Sequence, residues 1–228
     1  MHESKVWCYA AIVAGVLGMN APLPAGAPQA ATAQTIDLAE RLAAGKLRAV
    51  NRDVTKLPGN RSGVHVSEKE GSGVVWIEGS DLAQGTIEID VRGRDVMQRS
   101  FLGVAFHRKD DNAYEAVYLR PFNFRATDPV RHDHAVQYIS LPEFDWPKLR
   151  QDFAEEFENP VDASVSPTDW VPLRVVVNAS RIQIFAGTAK SAALEVRKLG
   201  SLDRGTVGLW VGNNSDGDFS NLRLTPAK

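Results

Sequence analysis

Gly85-Thr86-Ile87-Glu88-Ile89-Asp90-Val91-Arg92 is the stretch whose reading decides the fold class. Successive side chains of an extended chain point to opposite faces, so Ile87, Ile89 and Val91 line one side while Glu88, Asp90 and Arg92 line the other. A strand with this pattern rests one face on a core and leaves the other in water. The same period of two continues outward in both directions. It predicts a strand over Gly73 to Glu78, and further ones over Phe101 to Arg108, Tyr114 to Arg120, Ala135 to Leu141, Leu173 to Asn178, Arg181 to Ala186, Thr206 to Val211 and Phe219 to Leu224. That makes about nine strands.

Lys109-Asp110-Asp111-Asn112 and Asn178-Ala179-Ser180 supply tight reversals, because Asp and Asn tolerate the backbone angles a turn needs. Strands do not alternate with helices, and no unit repeats at a fixed period. The expected class is therefore all-β, an antiparallel two-sheet sandwich. Two stretches depart from it. Ile36 to Ala44 has helical spacing, with Ile36, Leu38 and Leu42 on one edge. Pro121 to Trp170 is a long excursion holding one strand and a helix-like Lys148 to Phe157. Its Phe144, Trp146, Phe153 and Phe157 are costly to leave in water, so the excursion is expected to fold back over a sheet face as a rim or wall.

Residues 1–33 read as a secretory leader: Lys5, an apolar run from Val6 to Met19, then an Ala/Pro stretch ending in Ala31-Thr32-Ala33. The run is about 14 residues, short of the roughly 20 that span a bilayer as a helix. The expected division is a leader over 1–33, an N-terminal segment over 34–72 leading into the sandwich, and the sandwich itself over 73–228. The one cysteine, Cys8, leaves with the leader, so disulfides and thiol chemistry are excluded from the exported part. Export without disulfides points to a bacterial periplasm or the extracellular space. Asn-x-Ser acceptor patterns begin at Asn60, Asn178 and Asn213. With 26 Lys and Arg against 28 Asp and Glu, the net charge of −2 gives no overall pull toward nucleic acid or an anionic membrane.

Three stretches together resemble a known superfamily: Gly85 to Val91; Phe101 to Phe106 followed by Tyr114 to Arg120; and Gly205-Thr206-Val207-Gly208-Leu209-Trp210-Val211-Gly212 running on to Phe219-Ser220-Asn221-Leu222. They are similar to the concanavalin A-like lectin and glucanase jelly rolls, in particular laminin-G-like modules and the 3-keto-disaccharide hydrolase domain group. The resemblance covers Gly73 to Leu224 and implies two curved sheets whose concave face binds saccharides. Some relatives hydrolyse glycosides and others only bind. The glucanase branch carries Glu-x-Asp-x-x-Glu or Glu-x-Asp-x-Glu on one strand. Here Glu88-x-Asp90 is followed by Arg92 and Gly93, so the third carboxylate is missing and that mechanism does not transfer.

The most informative segment is Tyr118-Leu119-Arg120-Pro121-Phe122-Asn123-Phe124-Arg125. Aromatic faces lie against the apolar C–H surfaces of sugars, while Arg and Asn offer fixed planar hydrogen-bonding edges to hydroxyls and carboxylates. Tyr118, Arg120, Asn123 and Arg125 are thus candidate ligand contacts, joined by Gln137 and Tyr138 from the embedded strand and His107 from its neighbour. Trp146 and Trp210 are candidate stacking platforms, Trp210 because it faces opposite to Leu209 and Val211. The plainer reading is that Phe122 and Phe124 plug the core end while both arginines pair with rim carboxylates.

The leading expectation is a carbohydrate- or glycoconjugate-binding domain. The alternative is a glycoside hydrolase in which Glu88, Asp90, Glu115 or His107 supply acid and base. Residues two apart on a strand lie about 6.5 to 7 Å apart, a glycosidase separation. Arg92 on the same face favours the ionised form of these acids, and a solvated charge ladder explains them as well. A second alternative is a structural or protein-interaction module, which predicts an exposed apolar patch. No cofactor is expected. His107, His132 and His134 with Asp128 and Asp133 have zinc-type donors but only spacing in their favour. Asn213 to Asp218 has the oxygen-rich composition of a calcium loop without EF-hand spacing, and a turn accounts for it equally well.

Overall fold

A computed structural model describes residues 1–3 and 32–227, so the leader expected over 1–33 lies almost wholly outside the described residues. The chain runs β1 (Gln34–Ile36), α1 (Leu38–Ala43), β2 (Leu47–Val50), β3 (Val54–Lys56), β4 (Gly63–Val66), β5 (Gly73–Leu82) and β6 (Gly85–Arg92). It continues through β7 (Leu102–Arg108), β8 (Glu115–Leu119), a 3-10 turn (Pro121–Asn123), α2 (Pro129–Asp133), β9 (Val136–Ser140), α3 (Trp146–Asp152) and β10 (Glu158–Asn159). It closes with β11 (Val171–Val177), β12 (Arg181–Ala186), β13 (Leu194–Arg197), β14 (Gly205–Val211) and β15 (Gly217–Pro226).

Two antiparallel sheets result. The first has the order β13-β12-β11-β6-β15-β4-β3, with β1 added alongside β15; the second has the order β10-β9-β8-β7-β14-β5-β2. The expected all-β sandwich is therefore the observed architecture, and all nine expected strands are present. The segment before Gly73 supplies strands to both sheets, since β2 pairs with β5 while β3, β4 and β1 join the first sheet. β15 pairs along one edge with β4 through Gly217 to Ser220 and with β1 through Leu222 to Leu224, and its pairing with β6 on the other edge slips between Ser220 and Arg223. Asn221 sits at that slip with φ 55°, a left-handed angle that Asn accepts more readily than most residues.

Both expected helices form with shifted ends. Asp37 caps α1 by accepting from the Glu40 amide, which leaves Ile36 outside the helix, on β1. Asp145 accepts from the Trp146 amide and Pro147 occupies the first turn, so α3 starts before Lys148; it ends at Asp152, and Glu155 beyond it has φ 65°. The run ends in turns through Phe157, and the next two residues form β10, which extends the second sheet from the β9 edge. The excursion folds back as expected: Phe157 is buried and Phe144 and Phe153 pack against the core.

The sheets differ in how they are covered. On β6, buried and half-buried residues alternate, the pattern of a strand wet on one face. β8 and β9 are buried at every position, because the second sheet packs on the first with one face and is covered by loops on the other. The orientation is fixed by Leu102, whose side chain lies against Gly217 of the first sheet. Gly103, Tyr118, Gln137 and Trp210, one register row along, therefore point outward, under the loops.

This layering predicts opposite outcomes for neighbouring residues. Ile89→Ala removes a buried side chain between the sheets and is expected to cost roughly 3 kcal/mol. Glu88→Ala, on the wet face, is expected to change stability by less than about 0.5 kcal/mol. Urea titration of both variants checks this, and equal losses would contradict the assignment of faces.

Candidate functional site

The outer face of the second sheet holds a groove of about 540 Å³. Its floor is made possible by a residue without a side chain. Trp210 on β14 and Tyr118 on β8 flank Gly103 on β7, and their rings lean across it to stack at 4.6 Å between centroids with 27° between planes. A Cβ on Gly103 would lie 2.0 Å from the Val117 carbonyl oxygen, so the strands can pair here only with glycine. Phe101 meets Tyr118 edge-on at 6.4 Å and Phe122 at 5.3 Å, and the Trp210 indole Nε1 donates to the Tyr114 hydroxyl at 3.2 Å.

Beneath one end of this floor lies a buried polar network. Tyr118 donates its hydroxyl proton to Gln137 Oε1 at 2.7 Å, and Arg120 Nη2 donates to the Tyr118 oxygen at 3.1 Å and to Gln137 Oε1. Arg120 Nη1 reaches the His134 carbonyl at 2.9 Å and Glu158 Oε2 at 3.4 Å. Arg150 then grips Glu158 with two bonds of 2.8 Å, the planar fork on a carboxylate that arginine favours. His134 Nδ1 lies 2.9 Å from the same carboxylate. Glu158 is 5% exposed. Burial pushes the Tyr118 hydroxyl up to about 12, so it stays a donor at any physiological pH. The hydrogen bonds that Arg150 donates to Glu158 raise the Arg150 pKa, while burial lowers that of His134 and favours its neutral form.

The walls come from the excursion on one side and from two loops on the other. α3 presents Trp146, 45% exposed, with the Arg150 guanidinium 5.1 Å from its ring centroid. α2 presents Arg131, whose Nη2 donates to the Phe122 carbonyl at 3.0 Å. Opposite stand Met97 and Arg99 from the connection between β6 and β7, and Asn213 and Asn214 from the connection between β14 and β15. These two loops are tied together by the Gly212 amide on the Phe101 carbonyl at 2.9 Å and the Phe101 amide on Ser215 Oγ at 3.1 Å.

The structure gathers Tyr118, Arg120, Asn123, Trp146 and Trp210 around this groove, with Gln137 beside Tyr118 on the adjacent strand. The remaining candidates lie elsewhere. Tyr138 follows Gln137 on the strand and so faces the interior, where its hydroxyl accepts from the Leu199 amide at 3.1 Å. His107 has φ 53°, which breaks the strand alternation, and it joins Glu115 in a buried cluster with Lys198. His107 Nε2 is 2.7 Å from the Ala83 carbonyl, and Lys198 Nζ is 3.0 Å from Glu115. Arg125 is exposed and donates to the Ala163 carbonyl at 3.1 Å. Glu88 and Asp90 lie on the wet face of the other sheet, Asp90 bonded to Arg61 and Asn221, and Glu88 3.9 Å from Arg223. The plugging role expected of Phe122 and Phe124 holds, for both are buried, and Arg120 does pair with a carboxylate.

His132 and His134 do not share a strand face, because Asp128 caps and Pro129 opens α2, which makes this segment helical. Among the described residues no group of three or more His, Cys, Asp or Glu is placed to hold a metal ion. In the Asn213 to Asp218 loop, Asp216 pairs with Arg94 and Asp218 with Arg92 and His65, so its acids face cations of the protein itself. Glu158, Arg150 and Arg131 were not singled out from the sequence. The Asp128-Pro129 start signal was present and would have put Arg131 on a helix beside Asn123.

Glu158→Gln leaves two guanidiniums without their carboxylate and is expected to cost roughly 3 kcal/mol. Glu156→Gln, which loses an exposed pair with Arg197, is expected to cost less than about 1 kcal/mol. Chemical denaturation distinguishes the two; a mild Glu158→Gln would mean that the network does not hold the groove.

No family model matches the chain, and no curated protein matches it by sequence. Solved structures do match in fold. The carbohydrate-binding module CBM66 from Bacillus subtilis superposes with a TM-score of 0.57 at 12% identity, covering 79% of this chain and 96% of the module. A native glycosidic hydrolase gives 0.57 at 8% identity, covering 89% of this chain and 99% of that one. The exoplasmic/lumenal domain of VIP36, in a Ca2+-bound form, gives 0.52 at 12% identity, covering 80% and 84%. The likeness is one of fold alone: this chain is a jelly-roll β-sandwich.

Proposed function

We propose that this protein is an exported carbohydrate-binding protein whose saccharide lies in the groove on the outer face of the second sheet. The observation that carries this reading is the groove itself: a ring-stacked floor of Tyr118 and Trp210, a half-exposed Trp146 on the wall, and guanidinium and amide edges around them. Sugars have apolar C–H faces ringed by hydroxyls, and a pocket of aromatic planes with planar donors is complementary to both. The similarity in fold to a carbohydrate-binding module and to the VIP36 exoplasmic/lumenal domain, which is also known in a Ca2+/Man-bound form, supports it. Export rests on the composition of residues 1–33.

Binding without turnover is the form the arrangement supports. A glycosidase places two carboxyl groups across the scissile bond. Asp145 alone, among the described residues lining this groove, carries a carboxyl group, and it is engaged with the Trp146 amide at 2.7 Å. Glu88, Asp90 and Glu115 lie on other surfaces or in the core, and Glu158 is held by two arginines beneath the floor.

Calorimetric titration of the purified protein with a panel of oligosaccharides tests the reading. Trp146→Ala, a change at an exposed position, is expected to weaken the bound saccharide by about tenfold with unchanged melting temperature. Glu88→Gln, on the opposite sheet, is expected to bind like the wild type. Undiminished binding by Trp146→Ala, or loss of binding in Glu88→Gln, would place the site elsewhere.

A further inference from the structure

The groove runs against the charge of the chain as a whole. The protein has a net charge of −2, yet four of the side chains lining this groove are arginines: Arg99, Arg120, Arg131 and Arg150. Arg120 and Arg150 share one carboxylate, that of Glu158, so the pair retains one positive charge. Arg99 has an ion-pair partner in Glu68 at 3.3 Å, but Glu68 is held more closely by Arg94 at 2.6 Å. Arg131 has no carboxylate partner among the described residues; its guanidinium donates to the neutral Phe122 carbonyl. Against these stands Asp145, the single lining carboxylate named above. His134 adds no charge near neutral pH, since burial favours its uncharged form.

A second feature lies beside Arg131. Asn123, 4% exposed, lines the same wall and donates Nδ2 to the His134 carbonyl at 3.0 Å, while its Oδ1 has no donor among the described residues. A guanidinium without a counter-charge beside an amide oxygen without a donor matches a ligand that carries an acidic group next to hydroxyls. An uncompensated charge on a partly enclosed wall gains more from such a ligand than one in open water, because the surrounding dielectric is lower.

We infer that the saccharide taken by this groove is acidic, a sugar bearing a carboxylate or a sulfate, with Arg131 meeting the anionic group and Asn123 an adjacent hydroxyl. This rests on the sugar-binding reading above and adds the chemical class to it. Arg131 would then determine specificity, while Arg120 and Arg150 remain committed to Glu158 and hold the floor.

An array carrying neutral, uronate-containing and sulfated glycans, probed with the purified protein, is the first test. The expected result is binding confined to acidic glycans, and the identity of the bound spots separates carboxylate from sulfate. For a uronate ligand, calorimetry with an oligogalacturonide and its methyl ester reads the charge directly; for a sulfated one, the desulfated glycan serves. The acid is expected to bind at least about tenfold tighter than its neutral counterpart, and Arg131→Gln to reduce that preference to about twofold or less. Binding of neutral glycans equally well would overturn the inference while leaving a sugar site. An undiminished preference in Arg131→Gln would remove Arg131 from its role, and an array with no bound glycan would remove the sugar site together with the inference.

Discussion

The charge on Glu158 is the constraint on which the groove depends. This carboxylate sits on a two-residue strand at the edge of the second sheet, yet through Arg120, Arg150 and His134 it reaches the end of β8, the helix α3 and the loop after α2. Arg120 passes the constraint on to Tyr118 and Gln137, and Tyr118 stacks on Trp210. A buried ion pair is not in itself a large source of stability, since desolvation offsets most of the attraction. Its consequence here is positional: a fixed anion forces two guanidiniums, a wall helix and a ring into one geometry. The floor, in turn, depends on Gly103, where a Cβ would run into the backbone of β8 at Val117 and Tyr118.

The two outer faces of the sandwich show how differently charge can be used. On the first sheet Asp90, Asp218 and Glu88 stand among Arg61, Arg92, His65 and Arg223, and Trp170 is capped by the guanidiniums of Arg61 and Arg92 at 4.0 and 4.8 Å. Acids and bases there are matched within the protein. On the second sheet the arginines outnumber the acids, and aromatic rings face the opening. A ligand gains little by competing with a matched ladder, and more where a donor lacks a partner.

The fold was legible in the residues because half of it is wet. Ile87, Ile89 and Val91 against Glu88, Asp90 and Arg92 announce a strand with two unlike faces, and the turn residues around the other long strands bound them clearly. What escaped notice was short: β1, β2, β3, β4, β10 and β13 have two to four residues each, too few to display a period. The site was legible where its residues are adjacent in sequence. Tyr118, Arg120 and Asn123 stood out as one cluster, whereas Glu158 lies 38 positions from Arg120 and acquires its meaning only through β10 pairing with β9. His132 and His134 would share a face only in an extended segment, and the Asp128-Pro129 start makes this one helical. Tyr138 was grouped with Gln137 although alternation sends neighbours to opposite faces, so that misplacement was avoidable from the residues alone.

The most direct test of the whole account is a crystal structure of the protein with a saccharide it binds. The account predicts a sugar ring over the Trp210 and Trp146 faces, its polar groups toward Asn123 and Arg131. A saccharide found instead against Glu88 and Asp90 on the first sheet, with the Trp210 groove unchanged, would contradict it.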